Sequence, residues 1–302
     1  MRTTRPFVPD TWHRPMLLCA GVMAVLAVVS GAGLLLDDRV LLGAPIWLKP
    51  LKFALSLGIY CLTWSWLYSL LPRRRTTAWR VSTTIVILAL VEYAIIVTQV
   101  VRGTTSHFNV GTPLNTTLFA VMGASIAVIW TGTFVLTVLL VRSPIADAAT
   151  RVALRSGAVL SLVGIGLGAL MTRPTAEQTR QLGDGTFRGV IGAHAVGVPD
   201  GGPGMPLTGW STTGGDLRIP HFVGMHALQL LPLVVAVLVV LARWWPRLRD
   251  GRVRARLVLV TAGTYAGLVA LVTWQALRGQ PLTDPDTTTL AAAAALVTAA
   301  AL

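Results

Sequence analysis

The sequence predicts an all-α integral membrane protein with about eight transmembrane helices. Of its 302 residues, 54% are hydrophobic and only 12% are charged, which is about half the charged fraction of an ordinary soluble domain. Long apolar runs recur along the chain, and segment 222–242 shows almost no polar face. A soluble helix needs such a face, so a soluble helical protein with a large core is excluded.

Seven apolar runs approach the length of about 20 residues that a bilayer requires. An eighth, 288–302, is alanine-rich and has only 15 residues. It is a full span only if the bilayer is locally thinned or if the residues just before it also enter the membrane. The whole chain, 1–302, is interpreted as one polytopic membrane domain. Its predicted spans are 16–36, 51–71, 81–101, 117–141, 152–171, 222–242, 256–277 and 288–302.

The basic residues predict the orientation. With the N-terminus in the cytoplasm, the inner segments hold 16 Lys and Arg residues, including Arg2, Arg5 and Arg73, against nine on the outer side. Short loops rich in Lys and Arg remain cytoplasmic, so both ends are expected in the cytoplasm of a cell-membrane protein and loop 172–220 outside it. Orientation therefore explains the net charge of +13, and no nucleic-acid partner is expected.

Two similar motifs suggest two parallel four-helix halves. The third run ends in Gln99-Val-Val-Arg102-Gly103 and the seventh in Gln275-Ala-Leu-Arg278-Gly279, 176 residues later. Some transporters and membrane enzymes are built from such repeats. Chance similarity of three letters is the alternative.

Both lysines of the chain, Lys49 and Lys52, lie at the predicted outer end of the second span. One interpretation is that they reach the membrane interface beside Trp47. The other is a cationic mouth for an anionic or lipid-derived ligand. The residues predicted to bind such a ligand are Lys49, Lys52, Gln99, Arg102, Gln229, Gln275 and Arg278.

Glu92 lies inside the third predicted span, about 15 Å from Arg102 at 1.5 Å per residue. An ionisable group at that depth is costly unless it is paired or protonated, and it is a functional candidate by default. We therefore predict that Glu92 handles protons. A neutral glutamate that only bonds a neighbouring helix is the structural alternative.

Four of the five histidines, His107, His194, His221 and His226, lie on the predicted outer side. Imidazole is a common metal ligand and a common acid or base, so these histidines are candidate ligands of a metal ion or haem. His221 and His226 are five residues apart, and on one helix they point about 140° apart. They converge only if His221 precedes the helix, which Pro220 permits. Ordinary interfacial hydrogen bonding is the alternative.

Loop 172–220 is far longer than a passive connection. Its glycines and prolines are interspersed with aromatic residues, which favours a structured lid over the helical mouths; a mobile loop is the alternative. Elsewhere, Cys19 and Cys61 lie inside apolar runs and are interpreted as small hydrophobic residues. Gly157, Ser161, Gly164 and Gly168 form a small-residue stripe that permits close helix packing.

These observations favour a membrane-embedded enzyme or redox protein with an outward-facing site. Glu92, His107 and His226 are its predicted catalytic residues, and a metal ion or haem its predicted cofactor. A proton-coupled transporter using Glu92 is the first alternative. A structural or assembly protein of a membrane complex is the second. No family signature is present: the chain resembles haem A synthases and zinc-dependent membrane hydrolases only in layout, and lacks their glutamate–histidine and i, i+4 histidine motifs.

Overall fold

The computed structural model describes residues 11–72 and 74–301. Arg2, Arg5 and Arg73, which entered the predicted orientation, lie outside the described residues. The described chain is nearly all α-helix, with two short two-stranded sheets. In chain order the helices are α1 (Arg14–Leu36), α2 (Leu48–Tyr68), α3 (Arg75–Val101), α4 (Pro113–Val141), α5 (Ala148–Leu167), α6 (Ala176–Asp184), α7 (Arg218–Met225), α8 (Ala227–Leu241), α9 (Gly251–Leu277) and α10 (Thr287–Ala301).

Five helical segments of the described chain are long and apolar enough to cross a membrane, and α7 with α8 makes a sixth if this bent pair is one span. The five are α1, α3, α4, α9 and the stretch Ala148–Asp184, which contains α5. The predicted count of eight is therefore not confirmed. The remaining two candidates are α2, which carries both lysines within its 21 residues, and α10, which has 15 residues.

The chain divides into two compact units. Unit 1 comprises Met1–Ser143 and Thr172–Ala193, and unit 2 comprises Pro144–Met171 and His194–Leu302. Unit 1 thus contains α1 to α4 and α6, whereas unit 2 contains α5 and α7 to α10.

In unit 1, α1 packs along α2, α3 packs along α4, and α3 also contacts α1 and α2. Strands β1 (Val40–Leu41) and β2 (Ala44–Pro45) pair antiparallel between α1 and α2. Gly58 lets α2 approach α1, because a Cβ there would lie 3.3 Å from the Cβ of Met23. The opposite face of α1 exposes large apolar side chains, as a lipid-facing helix does.

In unit 2, α5 packs against α7, α8 and α9, and α10 packs on α9. The predicted small-residue stripe lies at this contact. A Cβ on Gly164 would lie 2.1 Å from the backbone nitrogen of Met225, and one on Gly157 would lie 3.0 Å from the carbonyl oxygen of Ala227. The close helix packing predicted from the stripe is confirmed.

The sixth predicted span is bent by 45° at His226, where α7 ends and α8 begins. The Ser161 hydroxyl donates to the Met225 carbonyl (2.8 Å), and the Tyr265 hydroxyl donates to the Val223 carbonyl (2.6 Å). Since a backbone carbonyl without a partner is costly at membrane depth, these side chains from α5 and α9 stabilise the bend.

Loop 172–220 is structured and is shared between the two units. Its unit 1 part contains α6, whose N-terminus is closed by a capping box of Thr175 and Gln178. Its unit 2 part contains strands β3 (Ala195–Val196) and β4 (Gly215–Asp216), which pair antiparallel.

Candidate functional site

The polar end of unit 1 is the end where α2 begins, α3 ends and α4 begins. There the Gln99 amide donates to the Thr105 carbonyl and to Asn115 Oδ1, both at 3.1 Å. Arg102 donates to Gln99 Oε1 and to Asn115 Oδ1 (2.8 Å). We call Gln99, Arg102 and Asn115 the clasp of unit 1; it joins the end of α3 to the first turn of α4.

The polar end of unit 2, where α9 ends and α10 begins, has a related arrangement. The Gln275 amide donates to the Pro281 carbonyl (2.8 Å), again six residues further on. Arg278 donates to Thr289 Oγ1 (3.3 Å) and pairs with Asp286. Gln275, Arg278 and Thr289 form the clasp of unit 2, in which a carboxylate also neutralises the arginine.

The backbone turns after α3 and α9 also match. Gly103 has φ 67° and Gly279 has φ 73°, a conformation that favours glycine. The next residue donates its N–H to the glutamine carbonyl in each turn, from Thr104 to Gln99 (3.0 Å) and from Gln280 to Gln275 (3.2 Å). The resemblance that the Gln-x-x-Arg-Gly letters suggest therefore extends to hydrogen bonds that the letters do not specify.

Lys49 contacts the loop after α3. Its ammonium donates to His107 Nδ1 (3.0 Å), and Ser106 Oγ lies 3.1 Å from the same nitrogen. The Phe53 ring packs against the His107 ring, with 5.7 Å between their centroids. Lys52 lies nearby on α2 and is half-buried. Of the predicted catalytic residues, His107 is therefore the one at the polar end of unit 1.

Glu92 lies deeper in unit 1, nine residues or about 14 Å along α3 from Val101. Its side chain is buried, with 1% exposure. Neither carboxyl oxygen has a hydrogen-bond partner among the described residues. Lys49 is the charged group whose field reaches it. A buried, unpaired carboxyl group therefore lies below the Lys49–His107 pair.

His194 lies in the loop of unit 2, where its Nδ1 donates to Asp200 Oδ2 (2.7 Å). Burial alone would raise the pKa of Asp200, but the hydrogen bonds and charge of His194, with the backbone N–H of Ala195, lower it to about 2. This pair stabilises the loop next to β3.

The other two histidines of unit 2 are held by local bonds. His221 Nδ1 donates to the Gly164 carbonyl (2.8 Å), and His226 Nδ1 lies 3.3 Å from Gln229 Oε1. Convergence of His221 and His226 required His221 to lie before the helix begins. His221 instead lies inside α7. The chain instead bends at His226.

The predicted residues are divided between the two units. Glu92, His107, Lys49, Lys52, Gln99 and Arg102 belong to unit 1, and His194, His221, His226, Gln229, Gln275 and Arg278 to unit 2. Within 11–72 and 74–301, no three His, Cys, Asp or Glu side chains are grouped so that they could hold a metal ion. The metal prediction therefore gains no support from the grouping of these side chains.

Sequence reasoning missed the partners of the clasps. Asn115, Asp286 and Thr289 all lie at the start of the helix after the Gln-x-x-Arg-Gly motif. The side chains of Thr112 and Asp286 cap α4 and α10, and Asn115 and Thr289 are each the third residue after the cap. Aligning the two caps would have revealed them.

Comparison of the chain with protein-family models, with curated proteins and with solved structures gave no match.

Proposed function

We propose that this chain is a proton-coupled membrane transporter in which Glu92 binds and releases the coupling proton. In this proposal the protein has eight spans in the cell membrane, arranged as two parallel four-helix repeats with cytoplasmic ends. The observation that carries the proposal is the burial of Glu92 without a hydrogen-bond partner among the described residues.

The physical reason is the cost of an isolated charge. An unpaired carboxylate in apolar surroundings is far less stable than the neutral acid. The group therefore binds a proton in the described conformation and releases it when water or a cation reaches it. Lys49 is a cation that can supply such a change, since its field already acts on Glu92.

A comparison with unit 2 sets Glu92 apart from the matching position. The offset of 176 residues between the two motifs places Leu268 of α9 at the position of Glu92 in α3. Leu268 is 38% exposed, whereas Glu92 is 1% exposed. The two positions therefore differ in both polarity and burial, and only Glu92 places a buried carboxyl group there.

Two further features are typical of transporters. The matching clasps support an internal repeat, and the bent α7–α8 pair resembles the discontinuous helices of many transporters. Lys49, Lys52 and Arg102 give the polar end of unit 1 a positive charge, so we propose an anionic substrate. A lipid-derived substrate would present its head group at this end. A histidine-based enzyme or redox site ranks lower, because no three His, Cys, Asp or Glu side chains among the described residues are grouped to hold a metal ion.

Infrared spectroscopy of the purified protein tests the proton site directly. A neutral, buried carboxyl group gives a C=O band that shifts in D2O, and we expect this band in the wild type and its loss in Glu92→Gln. Glu177→Gln is the matched control, because Glu177 is the only other glutamate of the chain and is exposed.

Vesicle assays test the coupling. Liposomes containing the protein and a trapped pH dye are given a pH difference and then a panel of small carboxylates and phosphate esters. We expect one class of anion to accelerate proton movement in the wild type and in Glu177→Gln, and at least about a tenfold loss of this effect in Glu92→Gln. Full anion-dependent proton movement in Glu92→Gln would refute the proposal.

A further inference from the structure

The only two cysteines of the chain lie together inside unit 1. Cys19 is in α1 and Cys61 is in α2; both are free, with 3% and 0% exposure. Their thiol groups are joined by a side-chain hydrogen bond. Gly58, three residues before Cys61, permits this close approach of the two helices. Two residues that are 42 positions apart in sequence thus form a buried pair of thiols.

Two more sulfur atoms flank this pair on α1. Met16 is three residues before Cys19 and Met23 is four residues after it, so all three share one face of the helix. Both methionines have 0% exposure. With Ser30, these three are the buried residues of α1. The face of α1 that packs inside the unit is therefore made largely of soft sulfur ligands.

A cavity opens at the start of the same helix. It has a volume of about 310 Å³ and is lined by residues before and within the first turn of α1, by Tyr68 at the end of α2 and by two residues of α3. Its wall includes His13, six residues or about 9 Å along the chain from Cys19. Met16 lies between the two. The cavity thus lies at the end of the unit opposite Lys49, next to the first turn of the helix that carries Met16 and Cys19.

We propose that Cys19 and Cys61, flanked by Met16 and Met23, form a binding site for a soft monovalent cation, with Cu(I) as its chemical type. Thiolate and thioether sulfur select Cu(I) over hard cations. On binding, one thiol loses its proton to solvent and its sulfur bonds the ion. The thiolate and Cu(I) charges cancel, so the loaded site is neutral, as a buried site requires.

A packing role is the competing explanation, because methionine and free cysteine are common in cores. It predicts that each sulfur is replaceable by an apolar or hydroxyl group of similar size with no loss except in stability. The two explanations therefore differ in metal affinity, which a packing role does not involve. The test of the sulfur site is independent of the proton-coupling proposal, because Glu92 is not part of the sulfur site.

Anaerobic titration of the purified full-length protein with the coloured complex of Cu(I) and bicinchoninate tests the site. We expect the wild type to remove one Cu(I) per chain from the chelator. Cys19→Ser and Cys61→Ser should each weaken binding about 100-fold, and Met16→Leu and Met23→Leu about tenfold. X-ray absorption of the loaded protein should show sulfur-only coordination.

Met122→Leu is the matched control, because Met122 is equally buried in unit 1 but packs with Ile95 and Ile96. Its Cu(I) affinity should equal that of the wild type. If a cysteine variant does not fold, the two methionine variants still test the site, because Leu replaces Met with little change in volume. No Cu(I) uptake by the wild type, or full uptake by Cys19→Ser/Cys61→Ser, would overturn the proposal.

Discussion

The polar ends of unit 1 and unit 2 have related contacts but differ in how the charge of the arginine is balanced. In unit 2 the carboxylate of Asp286 neutralises Arg278, and its pKa is held well below the ordinary value mainly by the hydrogen bond from that arginine. In unit 1 Arg102 contacts the amide oxygens of Gln99 and Asn115. The two polar ends therefore differ in net charge, which is where a difference in function is expected.

A second motif is shared by the two units but differs between them in burial. Asp37–Arg39 in unit 1 and Asp216–Arg218 in unit 2 are both Asp-x-Arg pairs, and in both the Arg backbone and guanidinium donate to the aspartate. Asp37 is partly exposed, whereas Asp216 has 0% exposure. The same pair is thus a surface contact in one unit and an internal support in the other.

The largest predicted effect is Asp216→Asn. Removing a buried charge leaves Arg218 without its counter-charge, and breaking such a pair costs about 3–5 kcal/mol. The backbone N–H of Ser211 also donates to Asp216, so the loop before α7 should loosen as well. Thermal unfolding in detergent measures the loss. The matched variant Asp37→Asn should change stability far less, and equal losses in the two variants would contradict the comparison.

The next effect concerns helix contacts. Gly164→Ala places a methyl group 2.1 Å from the Met225 backbone nitrogen, so α5 and α7 must separate, at a cost of about 1–3 kcal/mol or more. Gly58→Ala in unit 1 has its closest contact with the Cβ of Met23, at 3.3 Å, and should cost much less. Gly123→Ala on α4, where open space surrounds the site, is the control. Thermal unfolding of the three variants should rank them in this order.

The connection before the second long helical segment also differs between the units. Unit 1 uses the short β1–β2 turn, whereas unit 2 uses a longer segment that Asp200 stabilises through His194 and Ala195. Asp200→Ala removes these bonds and should cost about 1–3 kcal/mol. Hydrogen exchange should rise over 194–216. In unit 1, exchange at β1 and β2 should stay unchanged.

The contribution of Asp200 has a defined pH dependence. Its folded-state pKa of about 2 lies below the ordinary value of about 3.9. The stabilisation is therefore fully present above the ordinary value and is lost as the pH falls through about 2. The difference in stability between the wild type and Asp200→Ala should shrink over that window, and a constant difference would contradict the assignment.

The sequence predicted where the helices lie better than where they begin. The apolar runs starting at 81 and 117 correspond to α3 and α4, which begin at Arg75 and Pro113. Their first turns contain Arg, Thr and Asn residues, which a search for apolar runs leaves out. The break at His226 was also missed, because 222–242 is apolar throughout. The residues that accompany the bend, Gly164 and Ser161, lie on another helix.

The candidate sites were predictable only where a single residue differed in polarity from its sequence neighbours. Glu92 is conspicuous in sequence because a charge within an apolar run is rare. The contacts of Cys19 with Cys61 and of Lys49 with His107 were not predictable, because each joins distant segments. Periodicity describes one helix at a time, so it identifies Met16, Cys19 and Met23 as one face but not what that face meets.

The smallest effect on stability, and the sharpest test of the charge difference, is Thr112→Asp. Thr112 caps α4 as Asp286 caps α10, and Asp is as good a cap as Thr. The variant should therefore fold like the wild type, but a carboxylate now neutralises Arg102 as Asp286 neutralises Arg278.

If the positive end of unit 1 binds anions, inorganic phosphate should raise the melting temperature of the wild type more than that of Thr112→Asp. Arg102→Gln should lose the phosphate response in the same way, because it removes the positive charge itself. An unchanged phosphate response in Thr112→Asp would show that the charge difference between the two clasps does not determine anion binding.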